Sequence, residues 1–292
     1  MRNAILKNTG KACCVIFGIL LAVHAFEAIV LRMDESFFGE NFINKLFGIF
    51  VIGTILRILH WKWRGIGFSE PGLFRNIAMG TALAAAAFAA AYAVELLVLK
   101  SQGASVRFGF FVTGFSLTGQ PVVNRGAGFI LMCVCFNIIN VIMEEGTFRG
   151  LFYRILHTDR SAKTAVLIQA LLFGIWHIVT PLHNLIDGEI GIGGFIGLSA
   201  GYVILAGLMG VKWAFLYQLT GSLYAGMADH FFNNCIATNL LHLTTESGTD
   251  EMMLLRVLIA QMLSFAAVMI IRTKRKKKCR QQSDGDPSQM PV

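Results

Sequence analysis

The sequence from Phe129 to Gly150 reads F-I-L-M-C-V-C-F-N-I-I-N-V-I-M-E-E-G-T-F-R-G and joins an apolar run to a charged motif without a break. An ionisable group at the centre of a membrane helix costs about 2.5 to 3.5 kcal/mol on insertion scales, so its presence usually reflects a partner or a task. Glu145 and Arg149 are four residues apart and can neutralise each other on one helical face. Glu144 is then left without a local partner. The alternative interpretation of this motif is the cytoplasmic cap of a helix, bathed in headgroups and water.

The composition indicates that lipid is the main solvent of this chain. Of its 292 residues, 55% are hydrophobic and only 14% are charged, whereas about 25% are charged in soluble domains. We therefore predict an all-α fold, a polytopic transmembrane helix bundle of about eight spans with the active site in the bundle interior. The spans are expected near residues 12–31, 41–59, 76–99, 126–157, 163–180, 190–210, 211–241 and 252–271. Residues 1–272 would form the transmembrane domain, and residues 273–292 a basic, disordered cytoplasmic tail.

The positions of the positive charges indicate the orientation of the protein in the membrane rather than a nucleic-acid partner. The net charge is +8, but the basic residues form short clusters between apolar runs and not one amphipathic face. Basic residues flank the first and the last span, and such residues favour the cytoplasmic side. We predict a multi-pass cell-membrane protein with both termini cytoplasmic and the lipid bilayer as its surroundings. The loop that carries Lys100, Arg107 and Arg125 is a counterexample to this orientation.

Several isolated polar residues carry no motif and are expected to have structural roles. His24 and Glu27 in the first span and Glu95 in the third would pack or pair within the bundle. His183 and His242 fall in short external connections, where solvation is the simplest expectation. The six cysteines form no C-x-x-C pair and are expected to behave as small hydrophobic residues.

Two further polar motifs lie in later apolar runs. Residues 173–177 read F-G-I-W-H, ending at His177, and residues 230–234 read H-F-F-N-N. His230 and Asn234 are four residues apart and share one helical face. Three polar positions on three helices can converge in the interior of a bundle.

Water activation is the chemistry that suits this set of side chains. Glu144 would be the general base, and His177 would hold the nucleophilic water with it. His230 and Asn234 would face the carbonyl oxygen of a peptide bond. A divalent metal such as zinc, bound between His177 and His230, is an alternative source of activated water. The sequence lacks H-E-x-x-H, so the single-helix zinc signature gives this alternative no support.

The motifs E-E-x-x-x-R-G, F-x-x-x-H and H-x-x-x-N occur in this order and on separate membrane helices. This arrangement resembles the CPBP family, the CAAX proteases and bacteriocin-processing enzymes also called the ABI family, over about residues 126–240. The resemblance implies an eight-helix intramembrane endopeptidase. It assigns the site to Glu144, His177, His230 and Asn234, and it assigns supporting roles to Glu145 and Arg149.

The resemblance leaves the substrate and the cofactor open. Eukaryotic relatives remove the last three residues of prenylated CAAX proteins, and bacterial relatives are linked to peptide maturation and bacteriocin self-immunity. The expected substrate is therefore a membrane-associated protein or a short hydrophobic peptide. The family name often includes "metalloprotease", although some members are described as glutamate-dependent enzymes. A proton- or cation-coupled transporter and a non-catalytic scaffold of the same fold are the competing hypotheses.

Overall fold

Eight helices form an all-α bundle, as predicted, in a computed structural model that describes residues 2–38, 40–113, 123–246 and 250–284. We number these helices α1 to α8: Thr9–Leu31, Ile43–Leu59, Leu73–Ser101, Ala127–Leu156, Ala162–Ile186, Ile192–Thr220, residues 224–240 and Met253–Asp284. A short helix, Arg2–Lys7, precedes α1. Four short strands, β1 to β4, cover Arg107–Phe110, Val112–Thr113, Val123–Asn124 and Leu241–Thr244.

Six of these helices are long and apolar enough to cross a membrane. The two exceptions, α2 and α7, are shorter. The 17 residues of α2 span about 26 Å at 1.5 Å per residue, slightly less than the roughly 30 Å hydrocarbon core of a bilayer. The polytopic helical class is thus confirmed, with six firm spans and two short helices in the predicted order.

The predicted boundary between the sixth and seventh spans is wrong. Helix α6 continues through Gly210 and Lys212 to Thr220, and the chain turns at Gly221, where φ is 70°. Glycine adopts such a left-handed conformation without strain. Gly210 has a packing role instead, since a Cβ atom there would lie 3.1 Å from Cα of Ala170 in α5.

Helix α4 continues through the E-E-G-T-F-R-G motif, which excludes the interpretation of this motif as a helix cap. Its last segment begins at Tyr153, and Gly146–Phe152 forms a π-helical segment within it, a local geometry that is frequent at functional sites. Glu144 lies well inside the helix and is only 5% exposed. A Cβ atom at Gly150 would lie 3.0 Å from the Ile66 carbonyl oxygen, so this glycine allows the connection before α3 to pack against the motif.

Both termini of the bundle lie at the same end. Thr9, at the start of α1, donates a hydrogen bond of 2.7 Å to Asp159 just after α4. Arg272 of α8 donates to Gln218 of α6 at 2.9 Å, and Gln218 donates to the Tyr153 hydroxyl at 3.1 Å. Helix α8 continues to Asp284. The helix thus extends into the tail predicted at residues 273–292, of which residues 285–292 lie outside the described part.

The opposite end is closed by β1, which pairs antiparallel with β4. His242 of β4 is 1% exposed, and its ring stacks on Phe111 with centroids 4.4 Å apart. The expectation that His242 is solvated is therefore wrong. Its Nδ1 atom lies 3.1 Å from Asp250. Burial alone would raise the pKa of Asp250, but hydrogen bonds from His242 and Arg256 outweigh burial and hold this pKa below its ordinary value.

His183 also has partners rather than a shell of water. Its Nε2 atom lies 2.8 Å from Nη2 of Arg32 and 3.1 Å from Asp187.

Glu27 accepts hydrogen bonds from the backbone N–H groups of Ile43 and Asn44 at 2.8 and 2.6 Å. This carboxylate therefore caps the N-terminus of α2, where backbone donors lack intrahelical partners.

The buried Glu95 pairs with an arginine of the last helix. Both of its carboxylate oxygens accept from Nη1 of Arg256, at 3.0 and 2.8 Å. This pair joins α3 to α8 across the bundle, and it fulfils the expectation that Glu95 pairs within the membrane domain.

Candidate active site

The predicted site residues lie on helices α4, α5 and α7. Glu144 is on α4, His177 follows the Trp176 turn within α5, and His230 and Asn234 are on α7. The helix predicted at residues 211–241 begins instead at Tyr224. This later start brings His230 level with Glu144.

Glu144 has two neighbours from other helices. Trp176 donates its indole N–H to Oε1 at 3.1 Å, and Nε2 of His230 lies 3.5 Å from Oε2. Oε2 is buried and has no hydrogen-bond partner in the described part of the chain. One carboxylate oxygen is therefore held in place, while the other is available to a water or a substrate.

Glu145, His230 and Arg149 form a second buried group. Nδ1 of His230 lies 3.0 Å from Oε1 of Glu145, and Nη1 of Arg149 lies 3.4 Å from the same oxygen. The Arg149 guanidinium lies over the Phe173 ring at 3.9 Å from its centroid, a cation–π contact that offsets part of the cost of burial. The predicted pairing of Glu145 with Arg149 is thus present.

The His230 ring is fixed on both sides. It stacks on the indole of Trp213, with centroids 4.0 Å apart and an interplanar angle of 14°. Asn234 lies one turn further along α7, with its Nδ2 atom 3.1 Å from Nε2 of His230. The predicted proximity of His230 and Asn234 on one helical face is therefore observed.

His177 lies next to this group without a direct bond to Glu144 in the described structure. Its Nδ1 atom donates to the Phe173 carbonyl oxygen at 2.8 Å, so Nε2 of the neutral ring carries the lone pair. The Phe173 ring contacts both imidazoles, with centroid distances of 4.7 Å to His177 and 6.2 Å to His230. Of the four predicted residues, three are joined by contacts, and the fourth is separated from them by one aromatic ring.

The side chains present do not fit the zinc ion of the alternative hypothesis in this arrangement. The Nε2 lone pair of His230 accepts from Asn234 and is not free for a metal. Among the described residues, Glu35, His183 and Asp187 are the one trio of His, Cys, Asp or Glu side chains with ligand atoms within 4.8 Å of one another. This trio lies away from Glu144 and already pairs with the Arg32 guanidinium.

Several side chains at the site carry no signal that spacing rules recognise. Trp176 is part of F-G-I-W-H, but the sequence pattern predicts only a packing role for an indole within an apolar run. Its ring also stacks on His24 of α1, with centroids 4.3 Å apart. Behind His230, the buried Asp229 accepts from Trp213 Nε1 at 2.7 Å and from Lys212. The charged Lys212 and Asp229 were the detectable signals, and the position of Lys212 two residues after Gly210 made it look like the boundary between two spans.

The indole N–H of Trp176 leads to a testable prediction. Trp176→Phe keeps an aromatic ring but removes the donor to Glu144, and hydrogen bonds to charged groups are worth about 1.5 to 3 kcal/mol. For the peptide hydrolysis that the sequence motifs predict, we expect a kcat lowered at least ~10-fold with an unchanged KM. Steady-state kinetics of the purified variant measure this. Trp63→Phe, a change at an indole that is 40% exposed, serves as the control, and an unaltered kcat in Trp176→Phe would refute the role.

Comparison with known families supports the order of the three motifs. Residues 126–236 match the family model described as "Type II CAAX prenyl endopeptidase Rce1-like", and this segment contains Glu144, His177, His230 and Asn234. Comparisons with curated proteins and with solved structures gave no match. The predicted resemblance is confirmed by this match: over residues 126–236, the chain is similar to the Rce1-like CAAX prenyl endopeptidases.

Proposed function

We propose that this chain is a glutamate-dependent intramembrane endopeptidase that hydrolyses a peptide bond in a membrane-associated protein or a short hydrophobic peptide. The observation that carries the proposal is the unpaired, buried Oε2 of Glu144 beside His230 and Asn234. A buried carboxylate oxygen without a partner is costly, so it usually has a task. The Rce1-like match of residues 126–236 supports peptide hydrolysis as this task.

Glu144 acts as the general base in this proposal. Oε2 removes a proton from a water that Nε2 of His177 also holds, and the resulting hydroxide attacks the carbonyl carbon of the peptide. The protonated Glu144 then gives its proton to the leaving nitrogen, so one proton is taken from water and one is returned to the product amine. Trp176 keeps the carboxylate in the orientation that this transfer needs.

Asn234 is the proposed donor to the carbonyl oxygen. Its Nδ2 group has two N–H bonds, of which one points to Nε2 of His230 and the other is free to donate to an oxyanion. The neutral His230 ring, with its proton on Nδ1 toward Glu145, has no N–H on that side. The hydrogen-bond directions therefore favour Asn234 over His230 in this role, and they make His230 the residue that orients Asn234. No step of this mechanism uses a metal.

The proposed topology places both termini in the cytoplasm of a cell-membrane protein. The bundle end that contains Thr9, Asp159 and Arg272 also carries the basic flanks of the first and the last span. Positive flanking residues favour the cytoplasmic side. The active site would then be reached from within the bilayer or from its cytoplasmic face.

A cleavage assay in lipid nanodiscs tests the proposed function. The purified protein is incubated with a farnesylated peptide that ends in a CAAX sequence, in water enriched in ¹⁸O. We expect release of the C-terminal tripeptide and one ¹⁸O atom in the new carboxylate of the remaining peptide. Intact peptide, together with proton or sodium uptake into vesicles that depends on an ion gradient, would favour the transporter hypothesis and contradict ours. Glu144→Gln is the inactive reference.

A further inference from the structure

We propose that a directed chain of hydrogen bonds, starting at Lys212 of α6 and passing through Gln261 of α8, sets the amide orientation of Asn234 and the tautomer of His230. Lys212 and Gln261 would thus be positioning residues for a site that they do not touch. The effect on catalysis rests on the proposed function, whereas the chain of hydrogen bonds itself can be tested without a substrate.

The chain begins at a buried ammonium group with all of its donors engaged. Lys212 is 1% exposed, and its Nζ atom contacts Asp229, Oε1 of Gln261 at 2.6 Å and Oγ of Ser264 at 3.0 Å. The same Asp229 oxygen accepts from the indole N–H of Trp213 at 2.7 Å. Because an indole can only donate, Asp229 is the acceptor and Lys212 the donor of their ion pair. An ammonium group has three donors and no acceptor, so Gln261 must turn its oxygen toward Lys212.

The direction of hydrogen-bond donation is then fixed at each successive amide side chain. With its oxygen on Lys212, Gln261 presents its Nε2 group to Oδ1 of Asn233 at 2.9 Å. Asn233 then donates from Nδ2 to Oδ1 of Asn234 at 2.7 Å, and Asn234 donates from Nδ2 to Nε2 of His230 at 3.1 Å. Each amide has an acceptor on one side and a donor on the other. A flip at any single position would therefore place two donors or two acceptors against each other.

The far end of the chain agrees with this direction. Because Nε2 of His230 accepts from Asn234, the proton of the neutral ring is on Nδ1, which faces Oε1 of Glu145 at 3.0 Å. Arg149 lies 3.4 Å from the same oxygen, so this carboxylate oxygen has a cationic group on its other side. A donor-only group at one end and an acceptor at the other select one of the two possible directions. In the reversed direction, Asn234 would turn its oxygen toward His230 and the carbonyl oxygen of the substrate, which it would repel.

Gln261→Glu is the variant that reverses the chain with little change in shape. The carboxylate still accepts from Lys212, but it has no donor for Asn233. Asn233 must then donate to residue 261, Asn234 must donate to Asn233, and the oxygen of Asn234 must face His230. We expect the His230 ring to change from the Nδ1–H to the Nε2–H tautomer. This is measured by ¹⁵N NMR of histidine-labelled protein, with the His230 signals identified by their loss in His230→Gln.

The kinetic effect of this variant follows from the lost oxyanion donor, whose removal in other enzymes lowers kcat by about 10²- to 10³-fold. We expect a kcat lowered about 100-fold and a KM within about 2-fold of the native value. Ser264→Ala is the matched control, because it removes another contact of Lys212 one turn away and leaves the amide chain intact. It should keep the native tautomer and a native kcat.

The outcomes separate this inference from the proposed function. Two results would refute the proposed chain of hydrogen bonds whatever the activity: a native protein with the Nε2–H tautomer at His230, or a Gln261→Glu protein with an unchanged tautomer. If no peptide is cleaved but the tautomer changes as expected, the proposed chain of hydrogen bonds is supported and the proposed protease function is contradicted. If Gln261→Glu does not fold, Gln261→Met provides the same test. It breaks the link to Lys212 and leaves Glu145 alone to select the tautomer, so a measurable fraction of the Nε2–H tautomer is expected at His230; an Nδ1–H fraction equal to that of the native protein would refute the proposal.

Discussion

Glu144→Gln should lower kcat for peptide cleavage at least ~100-fold while the protein still folds. The amide keeps an oxygen that can accept from Trp176, but it cannot remove a proton from water, and general-base catalysis typically contributes 10²- to 10⁴-fold. The measurement is single-turnover cleavage by purified protein in nanodiscs. Because the chemical step is followed directly, the result does not depend on how fast the product leaves.

The control for this variant is Glu70→Gln, which makes the same chemical change at an exposed carboxylate outside the site. It should cleave at the native rate. Undiminished turnover in Glu144→Gln would assign the base to another residue, and Glu145 would be the next candidate. Such a result would also leave the unpaired oxygen of Glu144 without its proposed task.

Lys212→Met should cause the largest loss of stability, because it leaves Asp229 as an unpaired charge in the bundle interior. Breaking a buried ion pair in this way costs about 3 to 5 kcal/mol, and thermal unfolding in detergent should show a clearly lowered Tm. The double variant Lys212→Met/Asp229→Asn removes both charges and keeps an acceptor for Trp213. It should recover most of the native Tm. Its kcat should stay low, since no donor-only group then orients Gln261.

A more exposed ion pair provides the control. Lys45 pairs with Glu40 near the start of α2, and the Glu40 side chain is 30% exposed. Pairs that retain contact with water contribute about 0 to 1 kcal/mol, so Lys45→Met should barely change the Tm. The explanation by an uncompensated buried charge fails if the double variant unfolds as readily as Lys212→Met alone.

The parts of the molecule that follow from its sequence are those governed by spacing within one helix. Glu145 and Arg149, and likewise His230 and Asn234, could be placed together because residues four apart share a helical face. The continuation of α4 through its charged motif followed from the need to bring Glu144 level with His177. Membrane class and helix order followed from hydropathy, since a bilayer imposes a minimum length on apolar runs.

The contacts between helices could not be predicted in this way. Nothing in the sequence connects Trp176 to Glu144 or Gln261 to Asn233, because no periodicity relates residues on different helices. Lys212 was placed at the start of the predicted span 211–241, since a charge close to a glycine usually marks the end of a span. The structure makes it an interior residue instead, with Asp229 on the neighbouring helix as the partner that makes its burial tolerable.

The position of Gln261 on α8 has a consequence for biosynthesis. A polytopic protein enters the membrane from its N-terminus, so Glu144, His177, His230 and Asn234 are all in the bilayer before the helix that orients two of them has left the ribosome. The amide of Asn234 gains its fixed direction only when α8 docks against α6 through Lys212. A partly synthesised protein that lacks α8 would therefore hold its proposed catalytic groups in an unaligned state.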